Sequence, residues 1–364
     1  MSNTADTVSA FFEPITIGSL ALPNRLAMAP MTRRKCPKPN VPTEAMATYY
    51  ARRAAGGTGL IITEGTHIDD EHAQDTDTVP GIWNEAQVDG WRPVIQAVHT
   101  AGGKIACQLW HTGRHAMNPI GPSAVAATRP DGTEKPMPRA MEAGDLIQVR
   151  DAFVNAALNS VAAGFDAIEI HGAHGYILDS FLSPVANQRT DDYGGSFENR
   201  MRFPLEVTRA VRSAVGDDYP IIYRFSQWKV EDYAALNFPD PDALGAWVAA
   251  LRDAGVDILH ASTRDATEPA FDGHELTLAG WSRRLGDLPT IAVGRVSTSA
   301  GMGEAATVET TDPAPAAALI ERGEADIVAV GRSLIANAAW GDIVREGRWQ
   351  ELLPYDASQL DELR

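Results

Sequence analysis

Eight short apolar runs, rich in β-branched residues, recur along the chain and are separated by stretches with helical periodicity. They are apolar on both faces, as the buried strands of a parallel sheet are. Strands and helices alternating eight times predict a (β/α)₈ TIM barrel, with a doubly wound sheet as the alternative. The runs are LAMAP (26–30), LIITEG (60–65), IACQLW (105–110), AIEIHG (167–172), IIYRFS (221–226), DILHAST (257–263), TIAVGR (290–295) and DIVAVGR (326–332).

Helices are expected between these runs, for example at 44–55, 89–101, 146–163, 199–215, 241–254 and 314–322. Several end in glycine where the next strand is due, namely at Gly102, Gly164, Gly255 and Gly323. Glycine tolerates the left-handed conformation that ends a helix, so these positions predict helix C-termini.

The chain shows no break in composition and no proline- or serine-rich linker, so we expect one domain over residues 1–364. The stretch FFEPITIGSLALPNR (11–25) predicts an N-terminal β-hairpin that plugs the barrel. Residues 300–313 (AGMGEAATVETTDP) are polar and acidic, which indicates a surface excursion.

The net charge of −17 argues against nucleic acid or an anionic membrane as a partner. No apolar run is long enough to span a bilayer, and the N-terminus does not resemble a signal peptide. The two cysteines, Cys36 and Cys107, allow no disulfide framework or iron–sulfur spacing. We therefore expect a cytoplasmic protein.

In a TIM barrel the chemistry lies at the C-terminal ends of the strands. Here those ends supply hydroxyl, amide, histidine, tyrosine and arginine side chains but no lysine, which argues against Schiff-base chemistry. Strands 7 and 8 both end in Gly-Arg, as Gly294-Arg295 and Gly331-Arg332. Glycine backbone and a forked guanidinium favour a phosphate site, although glycine turns followed by surface arginines are the alternative.

Gln108 and Arg224 also lie at strand ends. A buried arginine needs an anionic or strongly accepting partner. The pyrimidine edge of a flavin would supply one, because it becomes negative on reduction. An ion pair with Glu64 or Glu169 would do so equally well, and the residues alone leave both interpretations open.

Nine stretches of the sequence together resemble the old yellow enzyme family of FMN-dependent ene-reductases. They are LPNRLAMAPMTR (22–33), LIITEGTHI (60–68), PGIWNEAQ (80–87), QLWHTGR (108–114), GPSAV (121–125), FDAIEIHGAHGYILDSFLSP (165–184), NQRTDDYGGSFENRMRFPLEV (187–207), YRFS (223–226) and ADIVAVGR (325–332). HGAHGY together with RTDDYGGSFENR is the most specific part of the match. The resemblance implies non-covalent FMN, NADPH or NADH as electron donor, small activated alkenes as substrates, and a monomer or homodimer.

The resemblance also implies roles for the cofactor-binding residues. Thr32 would lie near N5 and O4 of the flavin, and Gly65 would line the site of the ring. Gln108 and Arg224 would bind the pyrimidine edge. The residues along the ring face would be Ala29, Pro30 and Met31, and those at the phosphate would be Gly294, Arg295, Gly331 and Arg332.

For the substrate, the resemblance implies that His171 and His174 hydrogen-bond a carbonyl or nitro oxygen. Tyr176 would be the proton donor and Trp110 would shape the pocket. The implied reaction is a ping-pong reduction of an activated C=C bond, in which hydride comes from flavin N5. Many members of the family have asparagine where His174 stands, and often proline where Ala338 stands.

Two rival functions are open. Glu169, His171 and His174 could ligate a metal in a TIM-barrel hydrolase. The second rival function is binding of a flavin or a phosphate ligand without turnover. Passive binding, however, gives no reason for a phenol placed at Tyr176.

Overall fold

The computed structural model describes residues 6–129, 132–301 and 303–364 of the chain. Eight parallel strands, β1 to β8, each pair with the next along the chain, and β8 pairs with β1. The closed cylinder confirms the predicted (β/α)₈ barrel. The strands are Leu26–Met28, Leu60–Ile62, Lys104–Trp110, Ala167–His171, Ile221–Ser226, Ile258–Ser262, Thr290–Val293 and Ile327–Val330.

Among the residues that the structure describes, ten helices, α1 to α10, surround the barrel. They are Glu44–Ala55, Glu85–Thr100, Ala143–Ala163, Ile177–Leu182, Phe197–Val215, Pro241–Asp253, Leu278–Gly286, Ala314–Glu321, Arg332–Ala336 and Trp340–Arg345. The described part of the chain also contains four short 3₁₀ helices, at Asp6–Phe12, Gly113–His115, Trp349–Glu351 and Ala357–Leu360.

Local signals explain where these helices begin and end. The side-chain oxygens of Thr43, Asn84 and Asp240 accept hydrogen bonds from the first turns of α1, α2 and α6. With Asn84 as its N-cap, α2 begins at Glu85, four residues before the start of the helix predicted at 89–101. The glycines expected at helix ends have positive φ angles of 84°, 100°, 94° and 70°, at Gly102, Gly164, Gly255 and Gly323.

An antiparallel hairpin, Ile15–Ile17 with Leu20–Leu22, precedes the barrel. Its buried residues Ile17, Leu20 and Leu22 pack in one cluster with the residues that fill the barrel interior near the strand starts. The hairpin therefore closes the end of the barrel where the strands begin, as the sequence predicted for the plug at 11–25. The remaining short strands are Thr66–His67, Ile120–Gly121, Arg139–Ala140, Thr307–Val308 and Tyr355–Asp356.

Side chains alternate between the barrel interior and the surrounding helices. On β4, Ile168 and Ile170 join the cluster between strands and helices, whereas Ala167 joins the interior cluster. Glu169 and His171 share the inward face of Ala167, so the inward-facing chemistry of β4 becomes more polar toward the strand's C-terminal end. Among the described residues, no helix is both long and apolar enough to cross a bilayer.

Candidate active site

A cavity of about 370 Å³ opens at the C-terminal ends of the barrel strands. It brings together fourteen of the residues singled out in the sequence, from six of the eight strand ends. They are Ala29, Pro30, Met31, Thr32, Gln108, Trp110, His171, His174, Tyr176, Arg224, Gly294, Arg295, Gly331 and Arg332.

Gly65 is the exception, because it lies behind Trp110 and does not line the cavity. A Cβ at Gly65 would come within 2.4 Å of Trp110 Cε3. The absence of a side chain therefore lets the Trp110 indole lie flat against the backbone after β2. Gly65 acts on the site through Trp110.

The turn after β4 carries the histidine pair and the tyrosine. Its backbone is left-handed at His174 (φ 66°) and Gly175 (φ 85°), and the second position favours glycine. The buried Asp179 carboxylate accepts a hydrogen bond from Gly175 N at 2.6 Å and is paired with Lys229 Nζ at 2.6 Å. This buried ion pair ties the turn to the loop after β5 and fixes the direction of the side chains on it.

Five aromatic rings meet at this end of the cavity. The ring centroids of His171 and His174 lie 5.1 Å apart, and His171 and Tyr176 are 5.0 Å apart. Trp110 packs edge-on against Tyr176 at 5.0 Å, and Trp228 stacks on His174 at 4.0 Å. Two imidazoles and one phenol thus converge inside an aromatic wall.

Burial fixes the protonation states of these groups. It lowers the pKa of His171 and of His174 well below the usual histidine value, and the Arg224 guanidinium lowers both further. Burial also raises the pKa of the Tyr176 phenol. At neutral pH the site therefore contains two uncharged imidazoles and a protonated phenol.

Ser262, at the end of β6, connects two parts of the site. Its Oγ lies 2.9 Å from His174 Nε2 and accepts a hydrogen bond from Arg224 Nη2 at 3.1 Å. Because the guanidinium can only donate, the serine hydroxyl hydrogen is available to His174. On the neighbouring histidine, Ala173 N donates to His171 Nδ1 at 3.4 Å, which leaves the proton of the neutral ring on Nε2.

Arg224 forms neither of the two ion pairs that the sequence left open. The Glu64 carboxylate accepts from Arg33 N at 2.8 Å, and Glu169 is bonded to Gln108 and His260. Within the described ranges the Arg224 Nε–H is buried and has no hydrogen-bond partner. An unsatisfied guanidinium donor in the cavity wall fits an accepting ligand edge.

The opposite end of the cavity contains both Gly-Arg pairs. A Cβ at Gly294 would come within 2.6 Å of Thr263 O, so only glycine permits this close approach. The guanidinium of Arg295 donates to Ser299 O at 2.7 Å, and that of Arg332 donates to Gly301 O at 2.9 Å. Both arginines therefore lie beside the start of the acidic 300–313 stretch.

Several residues of the cavity wall were not assigned a role from the sequence. Trp228 and Val230 follow the end of β5, and Arg264 follows β6, so an extension of the strand-end rule by a few residues would have found them. Tyr355 and Leu360 come from the C-terminal segment after α10. No barrel strand precedes them directly, so the barrel pattern gave no signal for their position.

The metal-site alternative is not supported. Among the described residues, no group of three histidine, cysteine, aspartate or glutamate side chains is arranged to hold a metal ion. Glu169 is fully buried and its two oxygens are bonded to Gln108 and His260, while His171 and His174 face the cavity.

Comparison with known proteins agrees with this geometry. The model of the NADH:flavin oxidoreductase / NADH oxidase family matches residues 10–351. An NADH oxidase of Thermoanaerobacter brockii is 35% identical over 92% of this chain, which spans about half (50%) of the length of that relative. The 12-oxophytodienoate reductase 7 of Oryza sativa subsp. japonica is 37% identical, over 90% of this chain and 85% of the relative.

Solved structures give the same result. Morphinone reductase in complex with tetrahydroNAD superposes with a TM-score of 0.79 and 33% identity, covering 96% of this chain and 93% of that one. The old yellow enzyme homologue from Zymomonas mobilis has a TM-score of 0.78 and 32% identity, covering 93% of each chain. The expected oxidoreductase class, the FMN cofactor and NADH or NADPH as donor are confirmed at the level of the family. The chain belongs to the NADH:flavin oxidoreductase family, that of the old yellow enzymes.

Proposed function

We propose that this protein is an ene-reductase, which uses FMN and NADH or NADPH to reduce the activated C=C bond of α,β-unsaturated carbonyl or nitro compounds. One observation carries the proposal. Two uncharged imidazoles and a protonated phenol converge at one end of a cavity whose other end is lined by two Gly-Arg pairs. Named relatives that are reductases of an oxophytodienoate and of a morphinone support the same reaction class.

The cavity fits FMN. The buried Arg224 Nε–H has no hydrogen-bond partner among the described residues, and together with the amide of Gln108 it suits the hydrogen-bonding pyrimidine edge of the flavin. Gly294 and Gly331 offer backbone without side chains, and Arg295 and Arg332 offer charge, for the phosphate. Thr32 would donate to the ring, with Ala29, Pro30 and Met31 along its face. The chemistry that FMN supplies when bound is hydride transfer, from a nicotinamide and then to the alkene.

The histidines act on the substrate's oxygen. As hydride adds to the β-carbon, negative charge develops on the carbonyl or nitro oxygen. His171 and His174 would each donate one N–H hydrogen bond to that oxygen, as the donors of an oxyanion hole do. Their lowered pKa values keep the rings neutral, so the stabilisation comes from oriented N–H dipoles and requires no change of protonation.

Tyr176 would complete the reaction by giving its phenolic proton to the α-carbon. A C–H bond forms there, the negative charge leaves the oxygen, and the tyrosine becomes a phenolate that water reprotonates. The raised pKa of Tyr176 keeps the proton on the phenol until the carbanion-like carbon is present. Trp110 packs against the Tyr176 ring and would limit the position of the alkene.

The test is Tyr176→Phe, with the two half-reactions followed separately by stopped flow. We expect reduction of cyclohexenone by the reduced enzyme to slow by about 10²–10⁴-fold, the usual contribution of a positioned acid. Reduction of the enzyme by NADPH or NADH should remain near the wild-type rate. Tyr193→Phe, which removes a phenol bonded to Glu206 outside the cavity, is the matched control. A Tyr176→Phe enzyme that reduces the enone at the wild-type rate would rule out the proton-donor role.

A further inference from the structure

A layer of four polar side chains crosses the barrel interior at the base of the cavity. Gln108, Glu169, Arg224 and His260 come from the consecutive strands β3, β4, β5 and β6. TIM-barrel interiors are mostly filled by apolar branched residues. Apolar residues also stand here two positions earlier on the same four strands, at Ala106, Ala167, Ile222 and Ile258. Gln108 and Arg224 line the cavity, whereas Glu169 and His260 are fully buried behind it. A buried carboxylate in this position needs an explanation.

The contacts of Glu169 determine the orientation of Gln108. Glu169 Oε1 accepts a hydrogen bond from Gln108 Nε2 at 2.7 Å, and Glu169 Oε2 is bonded to His260 Nδ1. A carboxylate can only accept, so the amide nitrogen of Gln108 must face Glu169. The amide oxygen is thereby left for a partner on the cavity side.

The charges in this layer are also defined. Burial alone would raise the pKa of Glu169, but the His260 ring and then the Arg224 guanidinium hold it below its usual value. Burial lowers the pKa of His260, and Glu169 offsets only part of that change. Glu169 is therefore ionised, and its negative charge lies near the positive charge of Arg224.

We propose that Glu169, held by His260, is a positioning residue for the FMN cofactor. It directs the Gln108 amide oxygen toward the one N–H group of the flavin's pyrimidine edge, and it places a negative charge on the barrel side of that edge. The proposal rests on the proposed function, in which Gln108 and Arg224 bind the pyrimidine edge.

Two consequences follow, one for affinity and one for reduction potential. The pyrimidine edge has a single donor, N3–H, between two carbonyl oxygens, so a fixed amide oxygen selects one placement of the ring. Reduction adds negative charge to that edge, which Arg224 favours and Glu169 opposes. Glu169 thus sets the flavin potential below the value that Arg224 alone would give.

The experiment compares the FMN-loaded wild type with Glu169→Gln and Glu169→Asp. The FMN dissociation constant is measured from release on dilution, and the midpoint potential is measured against a reference dye. In Glu169→Gln the new amide can donate or accept, so Gln108 is no longer oriented and the charge is lost. We expect FMN to bind at least about tenfold more weakly and the potential to become more positive.

Glu169→Asp separates the two effects. The aspartate keeps the charge, but its carboxylate is about 1.5 Å short of Gln108, so FMN should bind more weakly while the potential stays near the wild-type value. Glu324→Gln, which removes a buried carboxylate just before β8 and away from the cavity, is the matched control and should change neither quantity.

Wild-type FMN affinity in Glu169→Gln, or in Glu169→Asp if the first variant does not fold, would overturn the proposal. A potential that becomes more negative in Glu169→Gln would also overturn it. Either result leaves the proposed function intact if the wild type still binds FMN and reduces an enone. A wild type that does neither contradicts the proposed function itself.

Discussion

The two ends of the cavity differ in the burial of their side chains and in how firmly those side chains are held. At the histidine end, His171, His174 and Trp110 are buried and the turn that carries them is fixed by the Asp179–Lys229 ion pair. At the Gly-Arg end, Arg295 is exposed, Arg332 is half-buried, and both guanidinium groups are bonded to backbone carbonyls. A donor that must meet developing charge needs a fixed direction before the reaction starts. A phosphate can be met by glycine backbone and by long side chains that turn toward it.

We expect the largest effect on the reaction rate from a substitution at the histidine end of the cavity. We expect His171→Ala to slow the reduction of cyclohexenone by about 10²–10³-fold, the usual cost of one oxyanion donor. It should also weaken binding of a simple phenol, measured from the spectral change on titration. His99→Ala, whose ring is bonded to Asp166 near the start of β4, is the control and should leave both quantities unchanged. Unchanged phenol affinity in His171→Ala would remove this residue from the oxyanion role.

We expect a smaller effect, on FMN affinity, from a substitution at the Gly-Arg end of the cavity. Arg332→Ala removes one charged donor from the phosphate end, and we expect FMN to bind about 10–100-fold more weakly. The dissociation constant can be measured by recovery of flavin fluorescence on dilution. Arg345→Ala removes an exposed arginine that is paired with Asp342, and it should have no effect. Equal FMN affinity in Arg332→Ala and the wild type would show that backbone and Arg295 alone hold the phosphate.

The smallest effect per residue concerns the pH dependence of stability, which tests how deeply the histidines are buried. His111, His115, His171, His174 and His260 all have a lowered pKa, and burial is the main cause for each. Below about pH 6.5 the unfolded chain takes up protons at these positions and the folded chain does not, so acidification destabilises the fold. Each such histidine contributes about 1.4 kcal/mol per pH unit once the pH is below its unfolded pKa and above its folded one.

Two buried carboxyl groups, Glu64 and Asp179, act in the opposite direction. Burial raises the pKa of Glu64 to about 7 and also raises the pKa of Asp179, so the folded chain takes up these protons first and gains stability as the pH falls toward the unfolded value. Because the histidines outnumber them, we expect the free energy of unfolding, measured in urea, to fall from pH 7 to pH 5.5. His171→Gln should reduce that slope, whereas His274→Gln, at an exposed position, should not. A fold that becomes more stable over this range would contradict the assigned protonation states.

The strand-end residues at both ends of the cavity were predictable from sequence. Strand ends converge in a closed barrel, so His171, Gln108 and Arg224 could be assigned to one site from their positions alone. The ends of four helices were predictable as well, because glycine readily adopts the positive φ at which a helix ends. These features depend on periodicity and backbone conformation, which a single sequence carries.

Features that depend on distant parts of the chain were not predictable. Tyr355 and Leu360 reach the cavity from the C-terminal segment, and no local pattern placed them there. The partner of Arg224, a ligand or a carboxylate, could not be decided from sequence either. That decision required knowing that Glu169 is bonded to Gln108 and His260. Long-range side-chain contacts of this kind depend on barrel register, which spacing along the chain does not determine.

The most direct test of the central claim is the visible absorption spectrum of the purified protein, recorded anaerobically before and after addition of NADPH or NADH and then of cyclohexenone. We predict an oxidised flavin band that bleaches with at least one of the two nicotinamides and returns when the enone is added. A protein that remains colourless after incubation with FMN, or whose reduced flavin band does not return with the enone, would contradict the account.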